Sequence, residues 1–262
     1  MRLLPWMTLL VLLSGRRLSA VNVNWLTQVV KAVRTEYRIA GQFCLAANIP
    51  LNQNQGSLSQ ILQNNRYQQF SDTLEEGNVY ESDSIIVAKH TAGDPIHAEK
   101  QVLSKLPRLR RNRQGNFLFV YSYLSPCRKC TDWNQRYNIV RTLYHSVLDW
   151  TDAAFVFTTV YSQPPGAPAV TREVLENSLI DLGESMGGLN KVYRCYGNPQ
   201  LVCHSCSVRG EASEVCLSNN AGQGGSSRKR SQSSSSSSSS NISRKRVKVE
   251  SPSQSRRGST SG

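Results

Sequence analysis

Apolar residues along the chain switch between helical spacing and short continuous runs, and each switch marks an element. Trp25, Val29, Val30 and Val33 share one helical face, which predicts a helix over 22–37. Residues 42–49 read as a short apolar strand containing Cys44, and 79–89 as a second strand ending in Ile85-Ile86-Val87. The Gln/Asn-rich stretch between them, 52–69, carries a short helix around Leu58, Ile61 and Leu62. A helix beginning near His97 places Glu99, Val102, Leu103 and Leu106 on one face. Residues 117–124 are nearly all apolar or aromatic, as in a strand buried on both faces. A helix from Cys127 to about residue 145 follows, with Trp133, Tyr137, Val140 and Tyr144 continuing the face of Cys130. Residues 153–161 form another buried strand and 163–168 a Pro/Gly loop. A helix over 171–186 turns Leu175, Leu179 and Leu182 inward, is stopped by Gly187-Gly188, and leads into a last strand at 191–196.

The order α-β-β-α-β-α-β-α-β predicts a three-layer α/β/α fold on a five-stranded mixed sheet. A helix between the last two strands lets them run parallel, because parallel neighbours need a crossover connection. A chain of 262 residues supports one substantial domain with tails, and its core needs no disulfides. The organisation expected is a leader at 1–20, a folded domain at 21–197, a Cys-containing extension at 198–220 and a tail at 221–262.

Charge separates these parts. The net charge is +13, but residues 21–220 hold 19 Lys+Arg against 17 Asp+Glu, a net of +2. Residues 221–262 hold nine basic residues against Glu250, a net of +8. The high pI therefore belongs mainly to the tail and is poor evidence that the folded domain grips nucleic acid. The tail is low-complexity, with Arg228-Lys229-Arg230, eight consecutive serines (233–240) and Arg244-Lys245-Arg246-Val247-Lys248. It cannot bury a core and reads as a nuclear-import or polyanion-binding segment, or as a solvated tail without a reader. It holds the sequon Asn241-Ile242-Ser243.

The other end points elsewhere. Arg2, the apolar run 3–13 and a small-residue ending at Ala20 have the layout of a secretory signal peptide, too short in its apolar part to span a bilayer. A leader acts during synthesis, before a C-terminal import signal can. Secretion is therefore expected, with nuclear localisation the alternative if the leader is not used. Five cysteines (Cys44, Cys195, Cys203, Cys206 and Cys216) lie outside the Pro-Cys-x-x-Cys motif, so at least one stays unpaired within the chain. Cys203-His204-Ser205-Cys206 reads as half of a second zinc site or, in a secreted chain, as two disulfide cysteines.

Candidate chemistry concentrates in Pro95-Ile96-His97-Ala98-Glu99 and Ser125-Pro126-Cys127-Arg128-Lys129-Cys130. His97, Cys127 and Cys130 are three metal-ligand side chains, the number a catalytic zinc takes while one position stays open. Asp94-Pro95 and Ser125-Pro126 each read as an N-cap followed by proline at the first helical position, which sets the ligands at helix N-termini where thiol pKa falls. Glu99 points with the apolar stripe. An acid there is costly unless it has a partner or moves a proton beside a metal. The basic run at 108–113 starts eleven residues after His97, roughly 15 Å or more along a helix, so it reads as a solvated turn or a distal backbone contact.

His-Ala-Glu, 26 intervening residues and Pro-Cys-x-x-Cys resemble the signature of the zinc-dependent nucleobase deaminases. The crossover helix at 171–186 places the resemblance, which covers roughly residues 22–197, in the branch of tRNA-adenosine deaminases and the AID/APOBEC group, and the sequence is similar to the secreted AID/APOBEC-like deaminases of fish. The resemblance implies Zn2+ held by His97, Cys127 and Cys130. It implies Glu99 as the group that takes a proton from water, hands it to the ring nitrogen and helps protonate the departing ammonia. It implies conversion of cytosine to uracil in single-stranded DNA or RNA. The alternatives are a tRNA-type adenosine deaminase, a free-nucleoside cytidine deaminase and a zinc-stabilised non-catalytic binding protein. On the substrate side the chain departs from the branch: residues 89–94 hold no Asn where the branch usually carries one, so His90 is either its substitute or a solvated loop histidine. Ser125 is the retained member of a Ser-Trp-Ser that here reads Tyr123-Leu124-Ser125, and Tyr161, where the group presents an aromatic for base stacking, is either that platform or a strand-end core aromatic.

Overall fold

The computed structural model describes residues 21–51, 55–112, 116–197 and 199–221. The segment 1–20, expected to be a leader, and the basic tail with its sequon from residue 222 onward lie outside the described residues.

Helix α1 (Val23–Glu36) starts where Asn22 Oδ1 accepts from the backbone N–H groups of Asn24 and Trp25, at 3.0 and 3.1 Å. Its predicted apolar face is buried. Strand β1 (Phe43–Pro50) is followed by α2 (Gln55–Gln63) and α3 (Ser71–Glu75). The single strand expected at 79–89 is instead two, β2 (Tyr80–Glu81) and β3 (Ile85–Lys89), paired antiparallel. Ser82 makes the turn: its Oγ accepts from the N–H groups of Ser84 and Ile85, at 3.3 and 3.0 Å.

Helix α4 (Ala98–Ser104) and strand β4 (Asn116–Leu124) come next. The helix expected from Cys127 to residue 145 is also two, α5 (Arg128–Thr131) and α6 (Val140–Ser146). Asp132 leaves the helix in an extended conformation and its Oδ1 accepts from Asn134 N–H at 2.9 Å, an Asx turn that competes with the helical ladder. Trp133 and Tyr137 therefore lie in the connecting loop, and Tyr144 is exposed instead of continuing the face of Cys130.

Strand β5 (Asp152–Thr159), helix α7 (Arg172–Ser185) and strand β6 (Val192–Tyr196) complete a crossover, with β5 parallel to β6 as expected and to β4 as well. The sheet does not end there. Strand β7 (Val202–Ser205) pairs antiparallel with β6, giving seven strands in the order β2-β3-β1-β4-β5-β6-β7 instead of five. The β6–β7 turn depends on Gly197, at φ +125°, where a Cβ would lie 2.0 Å from Gln200 O. Strands β8 (Ser207–Val208) and β9 (Glu211–Ala212) make a separate ribbon, followed by α8 (Glu214–Leu217).

Strand alternation divides the core in two. Cys44, Ala46, Leu118, Val120, Phe155 and Phe157 face α4, α6 and α7, whereas Phe43, Leu45, Phe117, Phe119, Tyr121 and Val156 face α1, α2 and α3. The candidate chemistry sits on the first face. No described helix is long and apolar enough to cross a membrane.

Candidate metal centre and active site

The sheet registers bring distant residues to one edge. Phe43 pairs with Lys89, Cys44 with Ser122 and Leu124 with Thr159. The start of β1 thus meets the ends of β3, β4 and β5, and the loops after these strands carry the candidate residues. In sheets with parallel strands, ligands bind at such carboxyl-end crevices.

His97 and Cys127 occupy the N-cap positions of α4 and α5, both with extended backbone, and Cys130 lies inside α5. The capping pattern expected from Asp94-Pro95 and Ser125-Pro126 is thus shifted onto the ligands themselves. Asp94 Oδ1 instead accepts from Ile96 N–H at 2.8 Å, turning the chain before the helix. Cys127 Sγ lies 3.4 Å from Cys130 Sγ and 3.7 Å from His97 Nδ1, and Cys130 Sγ lies 3.1 Å from the same nitrogen. These three donors can hold a metal ion.

Their electrostatics call for a cation. The close contact with Cys130 pulls the Cys127 thiol down to about 4, and the same contact, together with burial, pushes Cys130 far up. Two thiolates 3.4 Å apart repel each other. A cation between them would let both ionise.

Glu99 is 2% exposed, on the buried face of α4. Its Oε1 accepts from Gln42 Nε2 at 2.8 Å and from Ser122 Oγ at 2.9 Å, while Oε2 is buried with no partner among the described residues. Burial raises its pKa, against the lowering effect of the hydrogen bonds. The carboxyl is thus fixed by one oxygen and free at the other. Gln42 was missed by sequence reasoning. It also donates to Ser122 Oγ at 2.8 Å and accepts from Leu124 N–H at 2.8 Å, so one side chain braces Glu99 and the end of β4. The one available signal was a polar residue opening an otherwise apolar strand.

A cavity of about 430 Å³ opens beside these groups, lined by His97, Cys127, Tyr161, Val174, Leu175 and Ser178 among others. It is in the size range of small-molecule sites. Arg128 and Lys129 also line it, Arg128 being ion-paired with Asp181 of α7.

A family model described as Secreted Novel AID/APOBEC-like Deaminase 1 matches residues 23–220. The chain belongs to this family of AID/APOBEC-like deaminases. No curated protein and no solved structure matches it. The matched span takes in every residue that surrounds the cavity and extends through β7 and α8.

Within this deaminase-family chain the three substrate-side candidates fall around the metal donors. The His90 ring lies edge-on to His97 with centroids 5.2 Å apart, and its Nδ1 is buried without a partner among the described residues. Burial and the neighbouring His97 lower its pKa. Ser125 is buried, and its Oγ accepts from Tyr161 N–H at 2.9 Å, which ties the loop after β4 to the loop after β5. The Tyr161 side chain is half-buried at the cavity wall, its pKa raised by burial. The basic run lies apart from this group: Arg108, together with Lys105, pairs with Glu81 of β2, and the side chains of 110–113 are outside the described set.

The remaining cysteines resolve between the two readings. Cys195–Cys203 and Cys206–Cys216 are disulfides, so Cys203-His204-Ser205-Cys206 is not half of a second metal site. Cys44 is buried and unpaired with any other cysteine.

Proposed function

We propose that the chain is a secreted zinc-dependent hydrolytic deaminase that converts cytosine to uracil in single-stranded nucleic acid. The observation that carries this reading is Glu99: a carboxyl buried beside three metal donors, braced at Oε1 and unpartnered at Oε2. A buried acid with one oxygen free is costly as a structural feature and suited to moving protons.

The donor set fits zinc. In a tetrahedral site with ordinary Zn–S and Zn–N distances the donors lie about 3.6–3.8 Å apart, and the separations here, 3.1, 3.4 and 3.7 Å, are within about half an ångström. His97 Nδ1, Cys127 and Cys130 would hold the zinc, which would supply the Lewis acidity that makes water a nucleophile at neutral pH. Glu99 would take one proton from the water at Oε2 and deliver it to the ring nitrogen as the water oxygen bonds to C4. It would then take the remaining proton of the added hydroxyl and pass it to the amino group, whose bond to C4 breaks to release ammonia and leave the carbonyl of uracil. Gln42 and Ser122 keep the carboxyl from turning away during these transfers. His90 stands against the His97 ring with its Nδ1 unpartnered among the described residues, Ser125 retains its own O–H to donate, and Tyr161 offers a ring face for the base.

The crossover helix α7 between parallel β5 and β6 supports a polynucleotide substrate over a free nucleoside, and Arg128 and Lys129 at the cavity suit a phosphate backbone. Two disulfides suit an oxidising compartment and so support use of the leader. In this reading residues 21–197 are the catalytic unit, 198–220 an appended strap, and the tail beyond it a non-specific polyanion binder.

The test is incubation of purified wild type and Glu99→Gln with cytosine- and adenine-containing oligonucleotides and free nucleosides, reading products by mass. Wild type should produce uracil in the oligonucleotide. Glu99→Gln should keep its zinc and fold and lose at least ~10²-fold in rate, the low end of general acid–base contributions. Full activity in Glu99→Gln would remove Glu99 from the chemistry. Inosine as the product would turn the reading to adenosine deamination.

A further inference from the structure

Beyond Thr159 the ladder of β5 runs out: its last pairing with β4 is Thr159 with Leu124, and its last with β6 is Phe157 with Arg194. The next residues, 160–162, carry Tyr161 into the cavity wall and need their backbone groups held by something other than a strand. Ser125 Oγ holds the Tyr161 N–H, and the Ser162 N–H turns back to Val160 O. At Val160 the holder is Asn219, far along the chain. Its Oδ1 accepts from Val160 N–H at 2.9 Å, and its Nδ2 donates to Val160 O at 2.9 Å and to Ser162 Oγ at 3.3 Å. One carboxamide therefore supplies an extra rung to β5, at the residue before Tyr161.

Asn219 is itself fixed. Arg194, 3% exposed, donates from Nη2 to Asn219 Oδ1 at 2.8 Å and from Nη1 to Val215 O and Ser218 O at 2.6 and 2.7 Å. Its Nε donates to Thr158 O at 3.0 Å, and its guanidinium lies over the Tyr196 ring. Among the described residues no carboxylate pairs with it, so a buried charge is held by neutral acceptors alone, a costly arrangement that requires them to stay in place. The Cys206–Cys216 disulfide closes a loop that includes Val215 and ends just before Ser218 and Asn219, and its cysteines are buried in the same cluster as Leu175, Leu179 and Leu182 of α7.

We propose that Asn219 is a positioning residue of the substrate pocket, held by Arg194 and the disulfide-closed strap so as to fix the loop that carries Tyr161. This rests on the deaminase reading for its effect on turnover, but not for its effect on the loop. The strap is then part of the site's construction, although it contributes no group to the metal centre.

Two variants separate positioning from mere stability. Asn219→Ala removes every contact. Asn219→Asp keeps an acceptor for Val160 N–H and gains charge attraction to Arg194, but loses the donor to Val160 O and Ser162 Oγ. Both are compared with wild type for zinc content, melting temperature, kcat and KM on a cytosine oligonucleotide, and backbone hydrogen exchange at 160–162. Expected for both are wild-type zinc and KM raised about tenfold with kcat within about threefold. Exchange at 160–162 should be faster by about tenfold in Asn219→Ala, and by less in Asn219→Asp, which keeps an acceptor for Val160 N–H. Asn219→Asp should melt at or above Asn219→Ala. Wild-type KM and wild-type exchange in both variants would overturn the proposal. So would an Asn219→Asp that behaves as wild type while Asn219→Ala does not, since anchoring of the strap would then suffice. If wild type deaminates nothing, the proposed function fails by itself and exchange at 160–162 alone decides the clamp.

Discussion

Two segments of this chain share the spacing Cys-x-x-Cys and have opposite fates. Cys127 and Cys130 bracket the first turn of α5, where residues three apart share a face, and their sulfurs converge with His97. Cys203 lies in β7 and Cys206 just beyond it, where an odd separation sends side chains to opposite sides of the sheet. Cys203 accordingly pairs with its cross-strand neighbour Cys195 on the α1 side, and Cys206 pairs with Cys216 on the α7 side. Spacing alone therefore does not distinguish a metal pair from two disulfide halves. The secondary structure beneath it does, by deciding whether the sulfurs meet.

The comparison can be broken most severely at the helical pair. Cys127→Ser should lower zinc affinity by on the order of 10³-fold or more, because a three-donor site loses a thiolate from a binding free energy of about ten kcal/mol. Competitive chelation with metal analysis measures it. Wild type should hold one zinc per chain and the variant none; an unchanged stoichiometry would move the metal elsewhere.

At the strand-borne pair the expected loss is in stability. The joint substitution Cys206→Ser with Cys216→Ser should cost about 3 kcal/mol in urea unfolding, the range for a short closed loop, with the zinc count still at one. Loss of zinc with this disulfide would mean that the two cysteine sets are coupled and the contrast drawn between them is wrong.

The smallest effect concerns His204, between the two strand cysteines and paired in register with Arg194. Burial and then the Arg194 charge hold its pKa below the usual imidazole value. The native state thus binds fewer protons than the unfolded chain, so stability falls as pH drops through the unfolded value near 6.5 toward the lower folded one. His204→Gln should reduce the loss of melting temperature between pH 7 and pH 5. A steeper loss in the variant would reverse the sign and point to a His204 that gains a proton on folding.

Much of the candidate site was legible before any fold was known. His97, Cys127, Cys130 and Glu99 stand in two short segments, and the apolar spacing of Val102, Leu103 and Leu106 already placed the Glu99 carboxyl inward. The elements that failed did so where polar side chains compete locally with the ladder: Ser82 splits one strand and Asp132 ends one helix, although the apolar pattern runs past both. Strand β7 was missed because four residues, with only Cys203 buried, give too short an apolar signal.

By itself, then, the sequence determined the donor types, their number and the order of the elements, because these follow from residue chemistry and from periodicities that act over a few residues. The tertiary structure alone decided what braces them. Gln42 reaches Glu99 across 57 positions, and Asn219 reaches Val160 across 59. Both contacts exist only because β1, β3, β4 and β5 bring their ends to one edge in a particular register, and because the strap folds back over that edge. Register is a property of the assembled sheet, set by the packing of both its faces at once, and no local stretch of chain encodes it.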